Sequence, residues 1–388
     1  MWLTREQEAL LRGDYGLAVA KAMEIIVKVG EALGATRLVE VKHAHVSGVS
    51  YSNIGEYGLE FIRDFFAMGG RARVYTTINP GCLDYSGYST IISSVYAEKQ
   101  RHIDGYLVGM GFKPVFTCIP YYHRAPIAGE HLAWGESSAV IFANSIYGAM
   151  TNREGGPIAL AAALTGYTYY AGMHEKSNRV ARIQVNIPVI KEGKSYGPAG
   201  LWIGENIKDV PLLKFAGKPS LWDIKILLAS MAAAGSHALA VIPGVTPEDS
   251  SSVEIEDKVW IEESDLEKYE GDQPAPGDQV LAYIGCPHLH LWEVRLIEEL
   301  VSKMGRPRRG KILVTIPFEY SQKYPQLIQR LIAHGVDVAA GTCPVVSKLA
   351  ERFDIVVTNS GKAAFYLGKM HGLKVSIRNL SEVVKSVY

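Results

Sequence analysis

Three short apolar runs in this chain each end in a cysteine that is followed by proline one or two residues later. The three cysteines are Cys118, Cys286 and Cys343. Short apolar runs that stop in this way are typical of buried strands in an open α/β sheet. Ligands bind such sheets in the crevice outside the carboxyl ends of the strands. The pattern therefore predicts that three thiols meet in one crevice, where they would form a metal or iron–sulfur site.

The whole chain of 388 residues has four cysteines, which is too few for a disulfide scaffold. No pair of them has the CxxC spacing, so we do not expect a zinc ribbon. The alternative is that each cysteine is simply a small buried hydrophobic residue. The shared context of three of the four weighs against that alternative.

The charge balance excludes several classes of partner. Lys and Arg together number 40, as do Asp and Glu, and no basic stripe is present, so we expect no nucleic-acid partner. No uninterrupted apolar stretch approaches the length of a membrane span, so we expect no membrane partner. The first eight residues are charged and helical in character rather than a signal peptide, which predicts a cytoplasmic protein.

The length predicts two or three domains. Residues 1–165 show repeated strand–helix units and are predicted to form an α/β domain that contains the first of the three cysteines. Residues 166–275 are predicted to form a middle α/β region, and the chain's richest proline and glycine stretch, 271–278, is the predicted linker. Residues 276–388 are predicted to form a doubly wound α/β domain that contains the other two cysteines.

The last domain has the most regular pattern. It predicts strands at 279–285, 311–317, 336–342, 354–359 and 373–378, and helices at 289–304, 320–334, 344–352, 361–371 and 380–388. In the first domain, a helix at about 90–110 is predicted to lead into a strand that ends at Cys118.

Two small polar loops follow predicted strands. Residues 47–50 read Ser-Gly-Val-Ser, and residues 358–362 read Thr-Asn-Ser-Gly-Lys and enter a helix. Small residues and helix N-termini bind anions. Taken alone, however, the first loop is better explained as an ordinary turn, and the second is equally consistent with an ordinary helix cap. The second loop lacks the P-loop spacing, so nucleotide binding is not predicted. The polar segment 151–157 lies between apolar helices, which favours a loop folded into an interior crevice over a solvated turn.

Several motifs, taken together and in order, resemble the aconitase X family over about residues 1–380, in the form of the separate large subunit found in archaea. They are Ser47-Gly48-Val49-Ser50-Tyr51, residues 54–61, Thr117-Cys118-Ile119-Pro120, Asn144-Ser145, residues 151–157, Gly285-Cys286-Pro287-His288 and residues 358–362. The resemblance implies an aconitase-like α/β fold, with several doubly wound α/β/α domains around a central cleft.

The resemblance also implies a hydro-lyase. The expected cofactor is a [4Fe-4S] cluster held by Cys118, Cys286 and Cys343 with one iron left open; mononuclear iron or a [2Fe-2S] cluster are the alternatives. The implied reaction is dehydration of (R)-5-phosphomevalonate to trans-anhydromevalonate 5-phosphate in an archaeal-type mevalonate pathway for isoprenoids. The alternatives are a cis-3-hydroxy-L-proline dehydratase and a metal-free binding subunit.

The number of thiolate ligands matters for this chemistry. Hydroxide leaves poorly, and an iron with an open position assists its departure as a Lewis acid. A fourth thiolate would close that position and favour electron transfer instead. Cys82 stands where relatives tend to have another small residue, and we interpret it as a packing residue. Relatives often carry Asp-Ser or Asp-Thr before the cysteine corresponding to Cys343, whereas this chain has Gly-Thr.

In the aconitase superfamily the general base is a serine on a small mobile domain. The chain ends at Tyr388 inside the last predicted α/β unit, so we expect the base on a separate small subunit and assign no catalytic residue here. By analogy with the family, the substrate, a phosphorylated hydroxy acid, is expected to contact Gly48, Val49, Ser50, Asn79, Pro80, Asn144, Ser145, Arg153, Ser360, Gly361 and Lys362.

Three polar residues have specific expected roles. Lys362 is predicted to act as a point charge for the phosphate or the carboxylate. Arg153 is predicted to position the carboxylate or to brace Glu154. His288 is predicted to orient a neighbouring group rather than to ligate iron.

Overall fold

The computed structural model describes residues 1–87 and 94–388, which fold into three successive units, each built on a parallel sheet. The start of the predicted helix at about 90–110 falls outside the described residues; the described part of it is helical from residue 94. None of the helices in the described ranges is both long enough and apolar enough to cross a membrane.

The first unit is organised around a three-stranded sheet. Its elements are α1 (Arg5–Arg12), α2 (Leu17–Ala32), β1 (Leu38–Glu40), β2 (His43–Val46), α3 (Tyr51–Ala67), β3 (Tyr75–Ile78), α4 (Ser94–Gly109), β4 (Ala133–Trp134), α5 (Ser137–Phe142), α6 (Gly156–Thr165) and β5 (Tyr167–Tyr169). The strand order is β3-β2-β4, and both pairings are parallel. A separate antiparallel pair joins β1 to β5. β2, the first of these three strands along the chain, therefore lies at the centre of the sheet, and β3 and β4 flank it.

The middle unit repeats this arrangement. It contains β6 (Val180–Ile187), α7 (Gly197–Asn206), β7 (Pro211–Phe215), α8 (Leu221–Gly235), β8 (Ser252–Trp260) and α9 (Glu263–Glu267). The parallel strand order is β7-β6-β8. Most buried apolar residues between Cys118 and Ala149 belong to the same hydrophobic core as this sheet, although Ala133 packs in the core of the first unit. The packing of that segment thus crosses the predicted boundary at residue 165.

The last unit is a doubly wound five-stranded sheet, as predicted. It contains β9 (Val280–Ile284), α10 (Leu291–Ser302), β10 (Gly310–Ile316), α11 (Phe318–Lys323), α12 (Pro325–Ala333), β11 (Val336–Ala340), β12 (Ile355–Thr358), α13 (Gly361–His371), β13 (Lys374–Ile377) and α14 (Leu380–Lys385). All five strands are parallel, in the order β11-β10-β9-β12-β13. From the central strand β9 the chain adds β10 and β11 on one side, and it then reverses to add β12 and β13 on the other side. That reversal creates a crevice beside the carboxyl end of β9.

Every residue of the central strand β9 is buried, which explains its continuous apolar sequence. Val280, Ala282 and Ile284 pack into the core on one face of the sheet. Leu281 and Tyr283 pack into a separate core on the other face. The alternation follows from the two-residue period of a strand, and it fixes which face each neighbouring residue can reach.

Two predicted elements next to cysteines are absent. The predicted strand ending at Cys118 is an extended segment beside β3, in which Thr117 N–H donates to the carbonyl of Ile78 at 3.1 Å. Phe116 has a φ of 39°, a conformation that a regular strand cannot contain. The predicted helix at 344–352 is a series of turns.

Those turns are held by contacts with the first unit. The hydroxyls of Ser50 and Ser52 both donate to the carbonyl of Val346, at 2.8 and 2.7 Å. Tertiary hydrogen bonds therefore decide the conformation after Cys343. The predicted helix at 320–334 is also divided, because Pro325 begins a new helix, α12.

A buried ion pair joins the middle and last units. Lys225 on α8 is 1% exposed and Glu293 on α10 is fully buried, and their charged atoms lie 2.6 Å apart. The Lys225 ammonium also donates to the carbonyl of His288 at 2.8 Å. Glu293 in turn accepts from the backbone N–H of His290 at 2.7 Å, which caps the start of α10. Because both charges are removed from water, each depends on the other for compensation.

We expect Lys225→Met to lower the free energy of unfolding by about 3–5 kcal/mol, because it leaves the Glu293 carboxylate buried and unpaired. The double variant Lys225→Met with Glu293→Gln should recover most of this loss, since the glutamine amide can still cap α10. Thermal and urea unfolding of the full chain measure both effects. Lys303→Met, which breaks the exposed pair Lys303–Glu299, is the matched control and should change nothing measurable. Equal stability of wild type and Lys225→Met would contradict the assigned role.

Candidate active site between two sheets

The carboxyl ends of strands from the first and last sheets face one cavity of about 310 Å³. Loops that follow β2, β3 and β4 line it from the first unit, and loops that follow β9, β11 and β12 line it from the last. Their lining residues are Ser47, Gly48, Val49, Ser50, Asn79, Pro80, Gly135, Glu136 and Ser137 on one side, and Cys286, Cys343, Val345, Val346 and Lys362 on the other. Parallel sheets bind ligands at this edge, so the cavity is the candidate active site.

Cys118, Cys286 and Cys343 all line this cavity. They are buried and free of disulfide bonds. Burial, the largest cause, raises the pKa of each thiol to about 12. For each of the three, the charge of another of the three raises the pKa further. The sulfur atoms are therefore close enough to influence one another's ionisation.

His288 contacts two of the cysteine segments. Its backbone N–H donates to the sulfur of Cys118 at 3.1 Å, and its ring Nε2 lies 3.0 Å from the carbonyl oxygen of Thr342. A carbonyl can only accept, so Nε2 carries the hydrogen. Burial lowers the pKa of His288 to about 3, so the ring is neutral.

Two polar atoms beside the cysteines have no hydrogen-bond partner within the described ranges. They are Nδ1 of His288 and the hydroxyl oxygen of Thr342, and both are buried. Buried polar atoms are almost always paired, so a group bound in the cavity or an ordered water would be expected to satisfy them. Among residues 1–87 and 94–388, no three His, Cys, Asp or Glu side chains form a group that could hold a single metal ion.

Lys362 and Glu136 form an ion pair across the cavity. The Lys362 ammonium contacts the Glu136 carboxylate and lies 3.1 Å from the hydroxyl of Ser138. Burial alone would raise the pKa of Glu136, but the charge of Lys362, its hydrogen bond to the carboxylate and the N–H of Ser138 together outweigh burial and hold this pKa well below its usual range. Burial alone would lower the pKa of Lys362, but Glu136 raises it. Both groups are therefore charged. The sequence predicted Lys362 as a point charge for the phosphate or the carboxylate of the substrate, whereas in the structure its charge is paired with Glu136.

Arg153 lies at the exposed rim of the cavity. Its guanidinium donates to the hydroxyls of Ser236 and Tyr366 at 3.3 and 3.4 Å. It does not brace Glu154, whose buried carboxylate accepts from the hydroxyl of Tyr169 at 2.8 Å. Of the two cations that line the cavity in the described part of the chain, Arg153 is the one without a carboxylate partner.

Asn144 and Ser145, which were expected to contact substrate, lie behind the cavity and do not line it. The Asn144 amide accepts from the N–H of Thr151 at 3.0 Å and donates to the carbonyl of Thr151 at 2.8 Å. The hydroxyl of Ser145 accepts from the N–H of Ala240 at 2.9 Å. Asn144 therefore holds the loop that presents Arg153, because it fixes both backbone groups of Thr151.

Ser360 and Gly361 also lie outside the cavity lining. The hydroxyl of Ser360 accepts from the N–H of Ala363 at 3.0 Å and so caps α13. A Cβ on Gly361 would lie 2.5 Å from the hydroxyl oxygen of Ser230 and 2.7 Å from the carbonyl oxygen of Gly197. Both residues thus set the position of α13, and with it the position of Lys362, through packing.

Cys82 is buried, and its sulfur lies 3.3 Å from the amide oxygen of Gln100. It does not line the cavity. The same amide oxygen accepts from the N–H of Tyr51 at 2.8 Å, and the amide nitrogen donates to the carbonyl of Val49 at 2.9 Å. Cys82 therefore belongs to a buried polar cluster that holds the loop before α3.

Several cavity residues were not identified from the sequence. Glu136 and Ser137 follow β4, which is only two residues long, so no strand was recognised before them. The available signal was the acidic residue at the start of a helix, and Glu136 does accept from the N–H of Ser138 at 3.3 Å. Ser47, Asn53, Val345, Val346, Tyr366 and Met370 also line the cavity.

Three family models match consecutive parts of the chain. They describe the first, second and third domains of aconitase X and match residues 1–177, 180–271 and 280–388. A crystal structure of Thermococcus kodakaraensis aconitase X in its holo-form shares the fold with a TM-score of 0.90. That chain is 36% identical in sequence, and the match covers 100% of both chains.

Curated relatives match over the same length. The phosphomevalonate dehydratase large subunit of Thermococcus kodakarensis is 38% identical over 99% of both chains. That of Aeropyrum pernix is 39% identical over 100% of both. The cis-3-hydroxy-L-proline dehydratase of Hypocrea jecorina is 28% identical, and the match covers 98% of this chain and 68% of the relative. On these full-length similarities, the chain belongs to the aconitase X family.

Proposed function

We propose that this chain is the large subunit of a phosphomevalonate dehydratase, which removes water from (R)-5-phosphomevalonate to give trans-anhydromevalonate 5-phosphate in a mevalonate pathway. The observation that carries the proposal is the meeting of three buried cysteines in one cavity between two facing sheets. Relatives of this name match the whole chain at 35–39% identity, whereas the hydroxyproline dehydratase relative that matches 98% of this chain is 28% identical.

The donor set fits an iron–sulfur cluster. Thiolates are the usual ligands of such clusters, and these three thiols line one cavity. The hydroxyl of Thr342, the residue before Cys343, is buried and has no hydrogen-bond partner among the described residues. We assign Cys118, Cys286 and Cys343 as the ligands of the cluster, with mononuclear iron or a [2Fe-2S] cluster as the alternatives.

When bound, a [4Fe-4S] cluster with three cysteine ligands supplies one iron with an open position, which acts as a Lewis acid on the departing hydroxyl. The chain's own residues hold the substrate around it. Gly48, Val49 and Ser50 line the cavity directly before α3, and in a loop with small residues the backbone N–H groups can approach an anion. Arg153 offers a guanidinium that has no carboxylate partner among the described residues and is suited to a phosphate.

The base that takes the α proton is proposed to come from a small subunit. Within the described cavity lining, the Glu136 carboxylate is a poor base because Lys362 holds its pKa low. The three thiols, with pKa values of about 12, remain protonated at neutral pH unless a metal binds. A general base works best with a pKa near the working pH, and neither kind of group meets this requirement.

We expect Cys118→Ser, Cys286→Ser and Cys343→Ser each to reduce bound iron and sulfide from about four of each per chain to near zero. Cys82→Ser is the matched control and should keep the wild-type content, because its sulfur faces Gln100. Iron and sulfide analysis after purification without oxygen measures both. Loss of iron from Cys82→Ser together with its retention in any of the other three would refute the ligand assignment.

The chain alone is expected to show no dehydration of (R)-5-phosphomevalonate, and addition of the small subunit should restore it. Product formation by the cluster-loaded chain, with and without partner, measures this. Turnover without partner would rule out an external base. Turnover of cis-3-hydroxy-L-proline in place of phosphomevalonate would instead support the alternative activity.

Arg153→Gln should raise KM for phosphomevalonate by about ten- to a hundredfold, since a charge-assisted hydrogen bond contributes about 1.5–3 kcal/mol. The cluster content should stay at the wild-type level, because Arg153 contacts none of the cysteines. Arg352→Gln, an exposed arginine that does not line this cavity, is the control and should leave KM unchanged. An unchanged KM in Arg153→Gln would exclude Arg153 as the phosphate ligand.

A further inference from the structure

The three cysteines are carried by segments that are far apart in sequence, and His288 contacts or adjoins each of them. It stands two residues after Cys286. Its backbone N–H donates to the sulfur of Cys118 at 3.1 Å. Its ring donates through Nε2 to the carbonyl of Thr342, the residue before Cys343, at 3.0 Å. One residue is thus bonded to the segments of all three thiols.

The backbone of His288 is also fixed from its other side. Its carbonyl accepts from the buried Lys225 ammonium at 2.8 Å. Lys225 is held in turn by Glu293 on α10, 2.6 Å away. The N–H, the carbonyl and the ring of His288 therefore each have a defined partner, and the residue itself is fully buried. Such a residue has little freedom to move independently of the segments that it joins.

We propose that His288 is a positioning residue that sets the spacing of the three thiols before any cofactor binds. The role rests on the proposed function in that the thiols are taken to hold a cluster. The ring fixes the Cys343 segment relative to the Cys286 loop, and the backbone N–H fixes the sulfur of Cys118 relative to the same loop. Without the ring, the Cys286 and Cys343 segments lose their direct link, although both strands remain in the sheet.

A merely structural histidine provides the contrast. His237 is also buried, and its Nε2 also lies 3.0 Å from a single backbone carbonyl, that of Ile207. It contacts none of the three cysteines. His237→Leu therefore removes the same kind of buried hydrogen bond without touching the thiol site, and it separates positioning from general stability.

The test compares His288→Leu, His288→Gln and His237→Leu in the full chain. The first readout is the rate at which iodoacetamide alkylates each cysteine of the cluster-free protein, resolved by mass spectrometry. We expect His288→Leu to speed alkylation of Cys343 by about tenfold, the effect of losing one net hydrogen bond. Cys118 should stay near its wild-type rate, because leucine keeps the backbone N–H that contacts this sulfur. His288→Gln should stay near the wild-type rate, because its amide nitrogen can replace Nε2 as donor. His237→Leu should leave both rates unchanged.

The second readout is the iron and sulfide retained after reconstitution without oxygen, which should fall by at least about half in His288→Leu only. Wild-type rates and iron content in His288→Leu, or equal losses in His237→Leu, would overturn the proposal. If wild type itself binds no cluster, the proposed function fails, and the alkylation rates still test positioning. If His288→Leu does not fold, the double variant Lys225→Met with Glu293→Gln removes the carbonyl anchor instead. It should speed alkylation several-fold, and wild-type rates in it would then count against the role.

Discussion

The carboxyl ends of strands in two separate sheets face the same cavity, and every group that we associate with the chemistry depends on this arrangement. A parallel strand delivers its next residue to one edge of its sheet, so the six loops that follow these strands converge on the cavity. The middle unit contributes by support: Gly197 packs closely against Gly361, and Lys225 holds the backbone of His288. Contacts with the middle unit thus help to fix the parts of the last unit that face the cavity.

The two cations of the cavity differ in what surrounds them. Lys362 is buried and neutralised by Glu136, so it joins the first and last units rather than offering a free charge. Arg153 is exposed, and the partners of its guanidinium among the described residues are two hydroxyls. A buried charge pair costs desolvation on both sides, whereas a rim arginine retains its charge for an incoming anion. On residue type alone, Lys362 and Arg153 would have been equally good candidates for binding an anion.

The sequence predicted the last unit well because its strands are buried on both faces and therefore read as unbroken apolar runs, as in β9. It also predicted the convergence of the three cysteines, which share one local context. It failed where tertiary contacts decide the backbone: Phe116 interrupts the segment before Cys118, and Val346 is held by two serines from another unit. Glu136 was missed because a two-residue strand leaves no periodic signal.

The order of the three cysteines along the chain has a consequence for biosynthesis. Cys118 leaves the ribosome 225 residues before Cys343 does. Cys286 follows the central strand β9, and the sheet around that strand is incomplete until β11 on one side and β12 on the other have been synthesised. Units fold in order during translation, so a nascent chain carries an incomplete set of sulfur donors for most of its synthesis. On the proposed ligand set, delivery of metal would therefore follow only after nearly the whole polypeptide has emerged.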